Sequence, residues 1–401
     1  MNILSISTVF PNPSEENLGL FVRARLEGLA ARASVRVLAP VPLVDYARIR
    51  ASRGGRPVCP PCPREGRLEV FHPRWFYPPG GGALNALFLF LRLLAPAWRL
   101  DTASPIDLID AHFGYPDGIA AALLAAWPGP GGTPRPRRPF TVTLRGNEIM
   151  HGRYRFRRMA MRWALRRAAR VIAVSEALRE YAISLGVEPS KTRTIPNGID
   201  TAVFHPHPLP AQRAPRRGSG PKQILSAGYL IERKGHHHAI RATAALRARG
   251  VDCELEVAGG PGREGKFEDR LRRLAAELGL ESAVHFLGVV PPARLAELMS
   301  AADVFCLASS REGWPNVVNE ALACGTPVVA TNVGGVPDLI PSGEFGYVVP
   351  AGDQNALENA LETALGRDWD REAIARWGAS RSWDQVAAEV AALFGEVIAG
   401  P

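Results

Sequence analysis

Two carboxylates eight positions apart, Glu312 and Glu320, lie in the run Glu312-Gly313-Trp314-Pro315-Asn316-Val317-Val318-Asn319-Glu320. Pro315 suits the first residue of a helix, where a missing N–H costs nothing. The amides of Asn316 and Val317 then open that helix, and a helix start offers unsatisfied N–H groups and a positive dipole end to an anion. Glu312 falls in the loop just outside and Glu320 about one turn inside, so the pair can face different parts of one elongated ligand. A second run, Gly228-Tyr229-Leu230-Ile231-Glu232-Arg233-Lys234-Gly235-His236, follows an apolar segment and carries two adjacent cations. Cations fixed in a loop suit a departing diphosphate, whose negative charge grows as it leaves. Plainer readings exist for both runs. An acid near a helix start is favoured by the dipole alone, and a basic turn can simply be solvated.

Such loops need a scaffold that holds them at strand ends. Short apolar segments alternate with helical stretches along all 401 residues, the pattern of parallel βαβ units. Strands are predicted at residues 3–7, 35–39, 68–71, 107–111, 140–144, 171–174 and 192–195, then at 223–227, 254–258, 284–287, 304–307, 327–330 and 347–349. Between the two sets, His205-Pro206-His207-Pro208-Leu209-Pro210 and Arg216-Arg217-Gly218-Ser219-Gly220 read as a linker, since proline removes backbone donors and glycine weakens regular structure. The length suits two cores better than one. The expected fold class is α/β, with two facing Rossmann-like domains at residues 1–204 and 221–382, a linker at 205–220 and a last helix at 383–401. In such sheets ligands bind at the carboxyl ends of the strands, where both runs fall.

The Glu-x7-Glu spacing in its strand–loop–helix–strand context resembles the signature of the family 4 retaining glycosyltransferases. That resemblance implies the GT-B fold, with an interdomain cleft and a C-terminal helix crossing back to the first domain. It implies that Glu312 contacts the transferred sugar and that Glu320 holds the ribose of the nucleotide. Residues 228–236 are similar to the family's phosphate loop, with Lys234 in the place of its lysine. Tyr229 stands where an arginine is usual, and Arg233 is the nearest substitute cation. Asn17-Leu18-Gly19-Leu20-Phe21 resembles the loop whose glycine, here Gly19, approaches the donor phosphate. Asp110-Ala111-His112-Phe113 resembles the segment whose histidine lies near the reacting sugar, although a structural histidine fits the same pattern. Arg145-Gly146-Asn147-Glu148 resembles a first-domain loop facing the cleft, which makes Arg145, Asn147 and Glu148 acceptor-side residues. Residues 195–200 and 334–338 match two further family turns.

The activity implied is a retaining, metal-independent transfer of a hexose from a nucleotide diphosphate sugar to a glycan or lipid-linked acceptor, as in bacterial polysaccharide or glycolipid synthesis. Glu312, Lys234 and His112 form the implied catalytic group, with Asn316 and Val317 on the donor, and no cofactor is expected. Two other classes stay open on the residues alone. One is a GT-B nucleotide-sugar epimerase; the other is a nucleotide-sugar-binding protein without turnover, suggested by Tyr229.

Composition narrows the setting. With 46% hydrophobic and 22% charged residues the chain has the balance of an ordinary globular protein. Residues 1–7 lack the features of a secretory signal, and Asn85, Arg92 and Pro96 interrupt the apolar stretch 83–98, so no spanning helix is expected. Five cysteines without a signal point to a reducing compartment, hence the cytoplasm. Cys59-Pro60-Pro61-Cys62 has a metal-site spacing but no second pair follows it, and no Asp-x-Asp or histidine cluster lies near the motifs, so no metal is expected. Charge is divided unevenly: 28 Lys and Arg oppose 15 Asp and Glu up to residue 204, while 20 oppose 24 afterwards. Residues 151–170 hold eight arginines and no acid. That segment reads as a contact with an anionic membrane surface on the inner face, as a contact with a phosphate-bearing acceptor, or as a solvated helix. Only four of the 48 basic residues are lysine, a bias toward arginine that suits the last reading. No nucleic-acid motif accompanies the charge, so nucleic acid is not an expected partner.

Overall fold

The computed structural model describes residues 1–12, 15–43, 67–76, 82, 84–128, 138–208, 220–262 and 267–400. Two compact units emerge, one of Met1–Gly198 with Trp383–Pro401 and one of Ile199–Ser382.

The first unit is built on seven parallel strands in the order β4-β2-β1-β6-β7-β8-β9. These are β1 (Asn2–Ile6), β2 (Ser34–Leu38), β4 (Glu69–Phe71), β6 (Leu108–His112), β7 (Phe140–Leu144), β8 (Arg170–Ala173) and β9 (Thr192–Thr194). A two-residue pair, β3 (Val41–Pro42) with β5 (Arg74–Trp75), stands apart. The second unit has six parallel strands in the order β12-β11-β10-β13-β14-β15. They are β10 (Lys222–Ala227), β11 (Cys253–Ala258), β12 (Val284–Gly288), β13 (Val304–Leu307), β14 (Val328–Thr331) and β15 (Gly346–Val349). Both orders reverse direction beside the first strand, at β1/β6 and at β10/β13. That switch point splays the flanking loops and leaves a crevice at the strand ends.

Every strand expected from sequence is present to within two residues, because strands buried on both faces read as continuous apolar runs. The β3/β5 pair was not anticipated, since two residues carry no periodicity. The expected domain boundary needs correction. Ile199 and Phe204 are buried in the core of the second unit, and the Ile199 amide donates to the Arg381 carbonyl at 2.9 Å. The His207 amide donates to Ser300 Oγ at 3.0 Å, so residues 199–208 pack with the second unit and neither end the first domain nor begin a free linker. Residues 59–62 and 209–219, the cysteine pair and most of the expected linker, lie outside the described residues.

The last helix, Trp383–Ala399, closes the first unit. Val386, Val390, Leu393 and Phe394 join the core made by Val22, Leu26 and Leu29 of the helix Leu20–Ala30. The helices meet closely enough that a Cβ on Gly28 would sit 2.8 Å from Ala387 Cβ. The apolar stretch near residue 90 forms the helix Asn85–Ala103. Among the described residues no helix is long and apolar enough to cross a membrane.

Candidate active site

Three neighbouring strands of the second unit, β10, β13 and β14, each send a loop from the carboxyl end to one place. After β10 the chain runs through the short turn Glu232–Lys234 into the helix His236–Ala248. Gly235 makes that joint possible: its φ is +73°, and a Cβ there would meet the Ala308 carbonyl oxygen at 1.9 Å. Only glycine tolerates both the left-handed backbone and that approach. The Ser310 amide donates to the Arg233 carbonyl at 2.9 Å, tying this loop to the one after β13. The β14 loop closes the group, since Gly334 at φ +55° would bring a Cβ within 2.4 Å of the Glu312 carbonyl, and the Gly335 amide donates to Gly313 at 2.9 Å.

These loops assemble a charged cluster around Glu312. Lys234 Nζ donates to Glu312 Oε1 at 2.7 Å, and Ser309 Oγ donates to the same oxygen at 2.7 Å. Arg233 Nη1 lies 3.7 Å from Glu312 Oε2 and donates to the Arg311 carbonyl at 2.9 Å. Glu312 is 8% exposed, and removing either of its close partners would leave a buried carboxylate poorly compensated. Arg233 thus joins the Lys234 cluster, whereas Tyr229 is exposed to solvent. Behind the loop, the buried His236 ring accepts from Ser226 Oγ at 2.9 Å and faces the Tyr229 carbonyl at 3.3 Å. Burial drives that imidazole down to about 4, so it is a neutral brace for the loop.

The helix Asn316–Ala323 begins beside this cluster with Pro315 as its cap. The Val318 amide already donates to Pro315 at 2.9 Å, whereas the Val317 amide donates to none of the described residues. The Glu320 side chain, half-buried on this helix, has no hydrogen-bond partner among the described residues. Burial pushes its carboxyl up to about 7, with the Lys234 charge opposing. Lys234 therefore bonds one glutamate and acts electrostatically on the other. Among the described residues no group of three or more His, Cys, Asp or Glu is placed to hold a metal ion.

The first unit carries a second, buried polar network. His112 has no exposed surface. Its Nδ1 lies 3.1 Å from Arg145 Nη2, and its Nε2 lies 3.1 Å from both Asp110 Oδ2 and Ser5 Oγ. Arginine can only donate, so Nδ1 is the acceptor and the proton sits on Nε2. Burial drives this imidazole down to about 4. Arg25 Nη1 donates to Thr143 Oγ1 at 2.7 Å and its Nη2 lies 3.4 Å from Asp110. Burial works to raise the Asp110 carboxyl, but Arg25, His112 and Thr141 together hold it below its ordinary value. Arg145 is buried, which lowers it to about 9; it donates to Asn197 Oδ1 at 3.0 Å and lies over the Phe21 ring.

Of the residues expected on the acceptor side, only Asn147 is exposed. Glu148 is buried and accepts three backbone amides, from Gly114 at 2.8 Å, Gly146 at 2.7 Å and Arg145 at 3.2 Å. It is a staple between two loops. His112 likewise sits inside the network, where it orients Arg145. Gly19, at φ +69° with the Val9 carbonyl 2.4 Å from where a Cβ would be, is required by the backbone itself.

Several participants carried no signal in the sequence. Ser309, Arg25 and Thr143 are ordinary residues whose partners come from other elements. Asp117 is another: its Oδ2 accepts the Thr8 amide at 3.0 Å across 109 residues, its Oδ1 is buried without a partner, and burial holds it well above the usual carboxylate range.

Comparison with known proteins finds relatives along both units. Residues 21–203 match the family model described as Glycosyltransferase Family 4, and residues 211–380 match the model described as Glycosyl transferases group 1. The D-inositol 3-phosphate glycosyltransferase of Corynebacterium urealyticum is 31% identical over 306 residues, covering 72% of this chain and 71% of that protein. The putative colanic acid biosynthesis glycosyltransferase WcaL of Salmonella typhimurium is 31% identical over 270 residues, 64% of this chain and 60% of that protein. Two further relatives are matched over 58% and 51% of their own lengths. Among solved structures, Anabaena Alr3699/HepE in complex with UDP superposes with a TM-score of 0.73 at 22% identity, covering 98% of this chain and 100% of that one. With its two Rossmann-like units and these matches along both, the chain belongs to the family 4 glycosyltransferases of GT-B fold.

Proposed function

We propose that the protein is a retaining glycosyltransferase that moves a sugar from a nucleotide diphosphate sugar to a glycan or lipid-linked acceptor, in polysaccharide or glycolipid synthesis on the cytoplasmic side of a membrane. The observation that carries this reading is the Lys234–Glu312 pair at 2.7 Å, with Arg233 beside it and a helix start next to it. In the reaction the bond from the sugar's anomeric carbon to the diphosphate oxygen breaks, and its electron pair leaves with the diphosphate. Lys234 and Arg233 stabilise that charge where it develops, the task that preplaced cations do best in a partly dry site. Glu312 aims Lys234 and, by the family likeness, contacts the transferred sugar. Ionised Glu320 accepts hydrogen bonds from the ribose hydroxyls. The acceptor oxygen bonds to the anomeric carbon on the face the diphosphate leaves, and its proton passes to the departing phosphate oxygen. His112 acts by holding Arg145 in place, and Asn147 is the residue on that side able to meet an acceptor. No metal or cofactor is required by this scheme, because two cations and the helix amides supply the positive charge. The UDP in the HepE structure makes UDP sugars the first donors to test, and the colanic acid role named for WcaL supports a polysaccharide acceptor.

The test is a transfer assay against UDP-, GDP- and ADP-sugars, with the anomeric configuration of the product read by NMR. Lys234→Ala is expected to slow transfer at least about 100-fold, the scale of removing one charge-stabilising group. Arg233→Ala should cost clearly more than substitution of a surface arginine. Chelation by EDTA should leave the rate unchanged. An inverted product, a strict metal requirement or a fully active Lys234→Ala protein overturns the mechanism.

A further inference from the structure

We propose that the exposed faces of the helices Asn85–Ala103 and Arg155–Arg167 form one pad that seats the first unit on an anionic lipid bilayer. Its purpose, bringing a lipid-linked acceptor within reach, rests on the glycosyltransferase reading; its geometry does not.

The helix Asn85–Ala103 has more apolar surface than its core takes up. Ala86, Leu89, Leu93 and Ala97 are buried. On the other side Leu84, Leu87, Leu91 and Trp98 are exposed, Leu84 by 54%. Steps of three, four and seven residues keep these four in one stripe along the helix. The helix Arg155–Arg167 buries Met161, Ala164 and Leu165 and leaves Phe156 71% and Met159 58% exposed. Around them stand Arg155, Arg158, Arg162 and Arg166, all exposed and without an ion pair among the described residues. A clamp ties the start of the second helix to the chain just ahead of the first: Arg157 Nε donates to the Gly82 carbonyl at 3.1 Å, the Tyr115 hydroxyl donates to the same carbonyl, and the Arg157 guanidinium lies over the Tyr115 and Tyr154 rings. Gly82 is two residues from Leu84, and Arg157 is next to Phe156, so both apolar sets begin at the clamp.

The chemistry of the pad selects its occupant. Single exposed apolar residues need no explanation, but a contiguous apolar stripe rimmed by charge marks an interaction site. A nucleic acid would use the arginines and leave the leucine stripe in water. An uncharged protein partner would cover the stripe and leave the arginines unanswered. A bilayer with anionic headgroups satisfies both, with arginines at phosphate level and Phe156, Met159 and the leucines at the acyl boundary. Since no described helix can span, attachment is in the plane of the interface and reversible.

The experiment is flotation of the full chain with vesicles of phosphatidylcholine alone or with about one third phosphatidylglycerol, in low salt and in about 0.5 M salt. Binding is expected only to the anionic vesicles in low salt. Replacing Arg155, Arg158, Arg162 and Arg166 together by Ser should weaken it at least about tenfold, given what each cation contributes near an anionic leaflet. Phe156→Ser with Met159→Ser should weaken it at least about fivefold even in low salt. Brominated lipid should quench tryptophan emission less in Trp98→Phe than in the parent. Unchanged melting of each variant checks folding. Absence of binding to anionic vesicles, equal binding by both variants, or capture of an RNA homopolymer in place of vesicles overturns the proposal. Vesicle binding by a protein that transfers no sugar would leave the pad standing and remove the transferase reading, and active transfer to a soluble acceptor without vesicle binding would do the reverse.

Discussion

Glu320 shows how a single residue can be legible by position and still owe its properties to its surroundings. Spacing placed it on the helix, but its helix and neighbours take it half out of water, and the Lys234 charge only partly offsets that. Accepting ribose hydroxyls requires the ionised form, so nucleotide affinity should rise as pH increases through about 7. Titration calorimetry with UDP across that range tests this in the parent, and Glu320→Gln should show weaker binding and no such rise. Stability runs the other way. The folded-state value lies above the ordinary 4.5, so the contribution to stability is complete below about 4.5 and is lost as pH climbs through about 7. Glu320→Gln should therefore melt above the parent near pH 8, by something on the order of 1–2 kcal/mol, and level with it near pH 4. A flat affinity profile in the parent would remove Glu320 from the ribose.

At the scale of elements, the site is an arrangement of loops held by glycines whose approach distances leave no slack. Gly235 combines φ +73° with a carbonyl oxygen 1.9 Å from its absent Cβ, whereas Gly250, at φ +87°, has nothing within 4 Å of that point. The pair separates backbone strain from collision. Gly250→Ala should cost only the left-handed penalty of about 1–2 kcal/mol. Gly235→Ala should cost more and raise the KM for donor, because the Arg233–Lys234 turn must move away from the β13 loop. Equal melting losses with unchanged donor KM would mean that the loop yields without disturbing the cations. The β10 and β13 loops were readable from sequence because each follows a buried apolar strand. Their contact was not: Ser309 reaches Glu312 locally, but Lys234 reaches it across 78 residues.

On the scale of the molecule, the first unit depends on the far end of the chain. Phe394 and Leu393 fill a core otherwise made by the first forty residues and their neighbours. Phe394→Ala is expected to destabilise that unit by about 3–5 kcal/mol, the usual result of emptying a packed aromatic site. Scanning calorimetry should show its transition shifting while that of the second unit stays. A chain ending at Ser382 should bind a hydrophobic dye strongly and keep one cooperative transition. A Phe394→Ala protein with both transitions unmoved would show that the last helix is dispensable to the core.

What the sequence determined alone was whatever local chemistry dictates. Buried parallel strands announce themselves as apolar runs, Pro315 marks a helix start, and the spacing of Glu312 and Glu320 fixes their places in loop and helix. These follow from periodicity and backbone sterics within a few residues. Tertiary structure alone decided which polar groups meet. It enclosed His112 and Glu148 in hydrogen bonds, brought Arg233 to the Lys234–Glu312 pair, and placed residues 199–204 with the second unit. Burial and hydrogen-bond satisfaction depend on partners more than a hundred residues away, as with Asp117 and Thr8, 109 residues apart. A polar residue in an apolar strand end looks the same in sequence whether it will face a ligand or a buried arginine.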